Sequence, residues 1–148
     1  MKILIGTAAA LAIAAPVLAQ DALTIRVVQS DEYGQYLSDA QGRPVYLFTI
    51  DTPGRANEKE AQISCTSEEC LEAWPLVRTS GDPQAGEGAD SALLGTTRYE
   101  EQQVVTYNGW PLYYFARDES ADQPQGNHVE SFGGEWYLLT PDGEKLHE

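Results

Sequence analysis

A chain of 148 residues with nine Lys and Arg against 23 Asp and Glu carries a formal net charge of −14. Such a surplus of acid repels polyanions, so no nucleic acid partner is expected. Apolar residues make up 42% of the whole, but many sit in the first nineteen positions, which leaves roughly 36% in the rest against the usual 45–50% and implies a modest core.

Met1-Lys2 gives a positive start, Ile3 to Ala15 is interrupted only by Gly6 and Thr7, and Pro16-Val17-Leu18-Ala19 ends on small residues. This pattern predicts a signal peptide over 1–19, cleaved after Ala19, and a single exported domain over 20–148 with a net charge of about −15. The leader falls short of the roughly 20 apolar residues that span a bilayer, and no transmembrane segment is expected in the mature chain. No cysteine stands at the cleavage point to take a lipid. The expected location is the periplasm or the medium.

Leu23 to Val28 reads as a strand, and Gly34 to Ser38, a turn at Asp39-Ala40-Gln41-Gly42 and a strand from Val45 to Ile50 read as a hairpin. Val45 and Leu47 oppose Tyr46 and Phe48, so both faces of that strand are apolar, which predicts a central strand covered on both sides.

Cys65 and Cys70 follow. Residues five apart in a helix have alpha carbons about 8 Å apart, beyond the limit of about 7 Å for a disulfide, so one helix does not hold both. Thr66 or Ser67 as cap, acids in the first turn and Pro75 as stop predict a short helix ending at Trp74. In an oxidising compartment the expectation is a structural disulfide, worth about 2 kcal/mol by chain entropy. A redox-active pair is the alternative, which Glu68, Glu69 and Glu72 oppose and the helix N-terminus favours; a metal pair is a third.

Asp82 to Ser91 reads as the loop between halves, and Asp90 to Leu94 as a second helical turn. Gln103 to Thr106, Asn108-Gly109 and Leu112 to Ala116 form a second predicted hairpin, and Gly134 to Leu139 a last strand before the turn at Thr140-Pro141-Asp142-Gly143.

Sliding the chain along itself by 67 residues sets Gly42, Pro44, Tyr46, Phe48 and Asp51 on Gly109, Pro111, Tyr113, Phe115 and Asp118, without a gap. Two copies of one supersecondary unit are implied, over about 34–80 and 98–143. The predicted fold is mainly β: a small antiparallel β domain of two pseudo-symmetric hairpin repeats with one short helix and one disulfide.

The Tyr-x-Phe-x-x-Asp signature at Tyr46/Phe48/Asp51 and Tyr113/Phe115/Asp118, with Cys65, Cys70 and Trp74-Pro75 between and Gly134-Glu135-Trp136-Tyr137 after, resembles the bacterial secreted-repeat family described as predicted lipoproteins with a Y-x-(F/W/Y)-x-x-D motif. The resemblance runs from about Tyr36 to Gly143, and departs in lacking a lipobox cysteine and in a wider Cys spacing. It implies a secreted module of no established activity and supplies no catalytic residues.

Candidate chemistry is sparse. Asp51 and Asp118 are expected to accept backbone N–H bonds and fix the turns that follow them. Asp118, Ser120 and Asp122 also place oxygens at alternate positions, as calcium loops do, but the later Glu and the central Gly of an EF-hand are out of place. No cofactor is predicted beyond a calcium or other metal ion at that loop. His128 has no supporting metal motif. Tyr46, Phe48, Tyr113, Tyr114, Phe115 and Trp136 are expected in the core, with Trp110, in a turn, as the ring left for binding a ligand. The reading is an exported non-catalytic envelope module that binds a partner protein or small ligand. The alternative is a periplasmic redox or metal-handling accessory protein using the Cys pair, His128 or the Asp118 loop. No oligomeric state is assigned.

Overall fold

A computed structural model describes residues 22–55, 59–121 and 123–147, with Gly6 and Ala10. The leader expected over 1–19 lies outside the described residues apart from those two, as does Asp122. The elements are β1 (Thr24–Ser30), β2 (Gly34–Asp39), β3 (Tyr46–Phe48), α1 (Glu68–Ala73), β4 (Arg78–Thr79), β5 (Gln84–Ala85), β6 (Leu94–Tyr99), β7 (Gln102–Tyr107), β8 (Trp110–Pro111), β9 (Val129–Ser131) and β10 (Gly134–Leu138). Among the described residues the fold is mainly β with one short helix and one disulfide, as the sequence predicts. No helix among the described residues is long and apolar enough to cross a membrane.

Three small sheets run in the orders β2-β1-β5, β3-β10-β9 and β4-β7-β6, with β8 also on β7. Every pairing is antiparallel except β1 with β5. In the first hairpin the Asp39 carboxylate takes the N–H groups of Gln41 and Arg43 at 3.0 and 2.9 Å, and Gly42 supplies the positive φ of 84° that closes the turn. In the second, Asn108 and Gly109 both have positive φ, the signature of a two-residue hairpin turn.

Strand β3 alternates between two cores. Tyr46 and Phe48 join Trp74, Tyr113, Phe115 and Trp136 in one, while Val45 and Leu47 join Ile25, Val105, Leu112 and Leu139 in the other. All four side chains are fully buried, so both faces are covered as the apolar pattern requires, but β3 ends its sheet beside β10 rather than lying centrally, with a single bridge from Tyr46 to Tyr113 on its other side. Successive strand residues point to opposite faces, and here each face meets its own cluster.

Two further expectations are corrected. Leu112 to Ala116 is not a regular strand. It runs beside Trp74 to Val77, with Val77 N–H to the Leu112 carbonyl at 2.9 Å, Tyr114 N–H to Pro75 at 2.7 Å and Ala116 N–H to Ala73 at 2.9 Å, but Pro75 has no N–H to return and the ladder lapses. Asp90 to Leu94 is a single turn, in which the Asp90 carboxylate holds the Ala92 N–H at 2.9 Å, and the chain then enters β6. Thr96 and Thr97 favour strand over helix there. The predicted loop over Asp82 to Ser91 contains the short β5.

Helix α1 begins as its sequence requires. Ser67 is the N-cap and its hydroxyl accepts the Cys70 N–H at 3.1 Å, with Glu68 and Glu69 in the first turn. Cys65 stands outside the helix and Cys70 inside, which allows the disulfide at a Cα separation of 5.6 Å.

Candidate functional site

The repeated motif closes across the two copies. The Tyr113 hydroxyl donates to Asp51 Oδ2 at 2.7 Å, and the Tyr46 hydroxyl to Asp118 Oδ2 at 2.7 Å. Each tyrosine thus binds the aspartate of the other copy. The backbones meet at the same place, with Tyr46 N–H to the Tyr113 carbonyl at 2.8 Å and the reverse bond at 2.9 Å. The second carboxylate oxygen is used alike in both copies: Asp51 Oδ1 accepts the Ser64 N–H and Asp118 Oδ1 the Gln125 N–H, each at 2.7 Å. These carboxylates were expected to fix the turns immediately after them; instead they tie down segments further along, because their oxygens face inward toward the opposite tyrosine.

Burial is the main influence on these groups. It pushes the Asp51 carboxyl up to about 6 against the pull of the Tyr113 and Ser64 hydrogen bonds, and raises Asp118 against those of Tyr46 and Gln125. Burial, and then the charge of the partner aspartate, hold the Tyr46 and Tyr113 hydroxyls far above the usual phenol range. The tyrosines stay protonated as donors.

Between the two tyrosines lies a stack of four rings. Phe48 lies on Trp136 at 3.9 Å between centroids, Trp136 on Trp74 at 4.0 Å and Trp74 on Phe115 at 4.0 Å, with interplanar angles of 8°, 1° and 19°. Tyr46 and Tyr113 meet the edges of Trp74 and Trp136 at 5.4 and 4.9 Å. Both indole N–H groups end on Ser131 of β9: that of Trp74 on its hydroxyl and that of Trp136 on its carbonyl, each at 3.2 Å. Gly126 is held against this stack, its N–H on the Tyr46 hydroxyl at 3.2 Å. A Cβ there would lie 2.8 Å from Tyr46 Cε1 and 2.9 Å from Trp74 Cη2. Both rings are fixed by their neighbours, so Gly126→Ala is expected to destabilise by about 1–3 kcal/mol through overpacking, measured by urea denaturation; an unchanged midpoint would show that the rings can move.

The other candidates are scattered. Cys65 and Cys70 are disulfide-bonded and buried in the cluster that holds Trp74. Trp110, in β8, is half-buried against the second core rather than free in a turn. Both Asp118 oxygens are engaged, Glu119 and Ser120 line a cavity of about 720 Å³ beside Phe115, and no group of three or more His, Cys, Asp or Glu with metal-site spacing occurs among the described residues. The His128 ring lies 5.0 Å from that of Tyr137.

A feature that neither motif nor composition announces is a groove of about 680 Å³ with Gly54, Arg55 and Lys59 to Ala61 on one side and β6 on the other. Its floor includes Gly95, Thr97 and Thr106, and its rim carries Arg55, Lys59 and Arg98 together with Glu60. Three of the nine cationic side chains of an acidic protein thus converge on one cleft. Thr97 Oγ1 donates to the Ala61 carbonyl at 3.4 Å, tying that side of the groove to the sheet.

A family model described as a secreted repeat of unknown function matches residues 96–140. The matched stretch holds the second motif copy and Trp136, so the resemblance drawn from the motif stands over that copy, and the family's description as secreted supports an exported protein. Neither a curated protein nor a solved structure matches the chain. The correspondence of Trp74-Pro75-Leu76 with Trp136-Tyr137-Leu138 escapes a search at the motif's offset, because fewer residues separate Asp from Trp in the second copy.

Proposed function

We propose that this exported protein is a non-catalytic envelope module, acting in the periplasm or outside the cell, and that it binds a partner through the groove lined by Arg55, Lys59 and β6. One observation carries the reading: the polar side chains of the repeated motif spend their hydrogen bonds on each other and on the Ser64 and Gln125 N–H groups, whereas the cationic rim of the groove is exposed. A general acid, base or nucleophile must reach its substrate, and Asp51, Tyr46 and Tyr113 are buried behind the aromatic stack. A concave site with a few convergent charged groups is what ligand binding calls for.

The test is amide NMR of the intact protein titrated with size-fractionated envelope extract. Shifts concentrated on Arg55, Lys59 and Leu94 to Arg98 are expected. Shifts confined to the Glu119–Gln125 side would move the binding site to the other cavity and overturn the assignment.

A further inference from the structure

The geometry points to strand addition: the outer edge of β6 accepts an extended acidic segment of a partner protein, running parallel to it, under the cationic rim of the groove. This rests on the binding role proposed above and names its mode and the chemistry of the partner.

The chain contains its own precedent. Ser38 of β2 and Thr106 of β7 each bridge the motif proline, Pro44 and Pro111 respectively. Ser38 pairs with Arg26 of β1, and Thr106 with Gly95 of β6. Val27 on β1 therefore corresponds to Thr96 on β6, and Ile25 to Leu94. On β1 this outer edge is covered by β5 and the residues after it. Gln84 N–H donates to the Leu23 carbonyl at 2.8 Å, Gly86 N–H to Ile25 at 2.7 Å, and Val27 N–H to Glu87 at 2.8 Å. The covering segment, Asp82 to Asp90, carries three acids and two glycines and no Lys or Arg.

On β6 the same edge ends its sheet, with no strand beyond it among the described residues. Thr96 is exposed, and every residue from Ala92 to Arg98 lines the groove. An unpaired edge is a template for another strand. The corresponding position on β1 is Arg26, whose Cβ lies 3.0 Å from where a Cβ on Gly86 would stand; on β6 it is Gly95, so an incoming segment has more room. Arg55, Lys59 and Arg98 supply the charge that an acidic strand would meet, outweighing Glu60.

The experiment uses the full chain and a dye-labelled peptide of its own Ser80–Asp90 sequence, followed by anisotropy. The peptide is expected to bind, and to bind less well as salt rises. Its neutral counterpart, with Asp82→Asn, Glu87→Gln and Asp90→Asn, is expected to bind about tenfold more weakly, as is the acidic peptide to an Arg55→Gln/Lys59→Gln protein. Thr96→Pro removes an outward N–H without touching the ladder to β7, a change that edge strands tolerate. It is expected to weaken binding at least about tenfold while leaving the thermal melt in place. Equal binding of the neutral peptide, binding untouched by Thr96→Pro, or no binding at all would overturn the proposal. Self-association abolished by Thr96→Pro would assign the edge to a second copy instead. Extract-induced shifts on the groove without any response to the acidic peptide would leave the binding role standing and remove strand addition.

Discussion

Trp136→Ala is expected to cost about 3–5 kcal/mol of unfolding free energy, at the upper end of what single core truncations do. The indole is fully buried and touches more of the core than its area alone suggests. It stacks on Phe48 and Trp74 and takes the edge of Tyr113, and each aromatic contact adds about 0.5–1.5 kcal/mol beyond burial. The cavity would open between the two copies, where the backbones are pinned by the reciprocal Tyr46–Tyr113 bonds and have little scope to collapse. Ile50→Ala is the control: that side chain is 46% exposed and its loss should stay within about 0.5 kcal/mol. Urea denaturation of the two variants decides the matter, and a Trp136→Ala loss close to that of Ile50→Ala would refute the stack as the centre of the core.

Asp51→Ala should come next, at about 1–3 kcal/mol, because it strips the acceptor from the Tyr113 hydroxyl, which it leaves unpaired in the interior, and from the Ser64 N–H, which water can reach. Asp118→Ala should cost less, since that carboxylate is only half-buried. The titration of Asp51 gives a second signature. Its folded value of about 6 lies above the 3.8 of an ordinary aspartate, so the native state binds the proton more tightly than the unfolded chain. The resulting stabilisation is complete below the unfolded value and is lost as pH rises through 6. Relative to Asp51→Asn, which does not titrate, the wild type should gain stability between pH 7 and pH 4, each unit of difference being worth about 1.4 kcal/mol. A melting-temperature difference between the two that stays flat with pH would show that Asp51 titrates normally.

Much of this architecture was legible from local chemistry. The Ser67 cap, the Cys pair split by a helix start, the Asn108-Gly109 turn and the doubly apolar β3 all follow from rules that act within a few residues. What stayed hidden depends on partners far along the chain. Pairing the tyrosine of one copy with the aspartate of the other involves separations of 72 and 62 residues, and nothing in the ten-residue motif says that its two ends look away from each other. Strand β6 was missed because Leu94-Gly95-Thr96-Thr97-Arg98-Tyr99 has weak alternation, as an edge strand with a solvent-facing side has little to bury. The groove is invisible in sequence because Arg55, Lys59 and Arg98 come from segments brought together by long-range ties, from Thr97 to Ala61 and from the Gly54 N–H to the Gly109 carbonyl.

The crossed hydrogen bonds also bear on how the two copies depend on each other. A single copy carries one tyrosine without its aspartate and one aspartate without its tyrosine, and those vacancies are complementary between any two copies. The same logic couples the two copies: a loss at Tyr46 is felt at Asp118, and one at Tyr113 at Asp51, so neither copy is complete without the other.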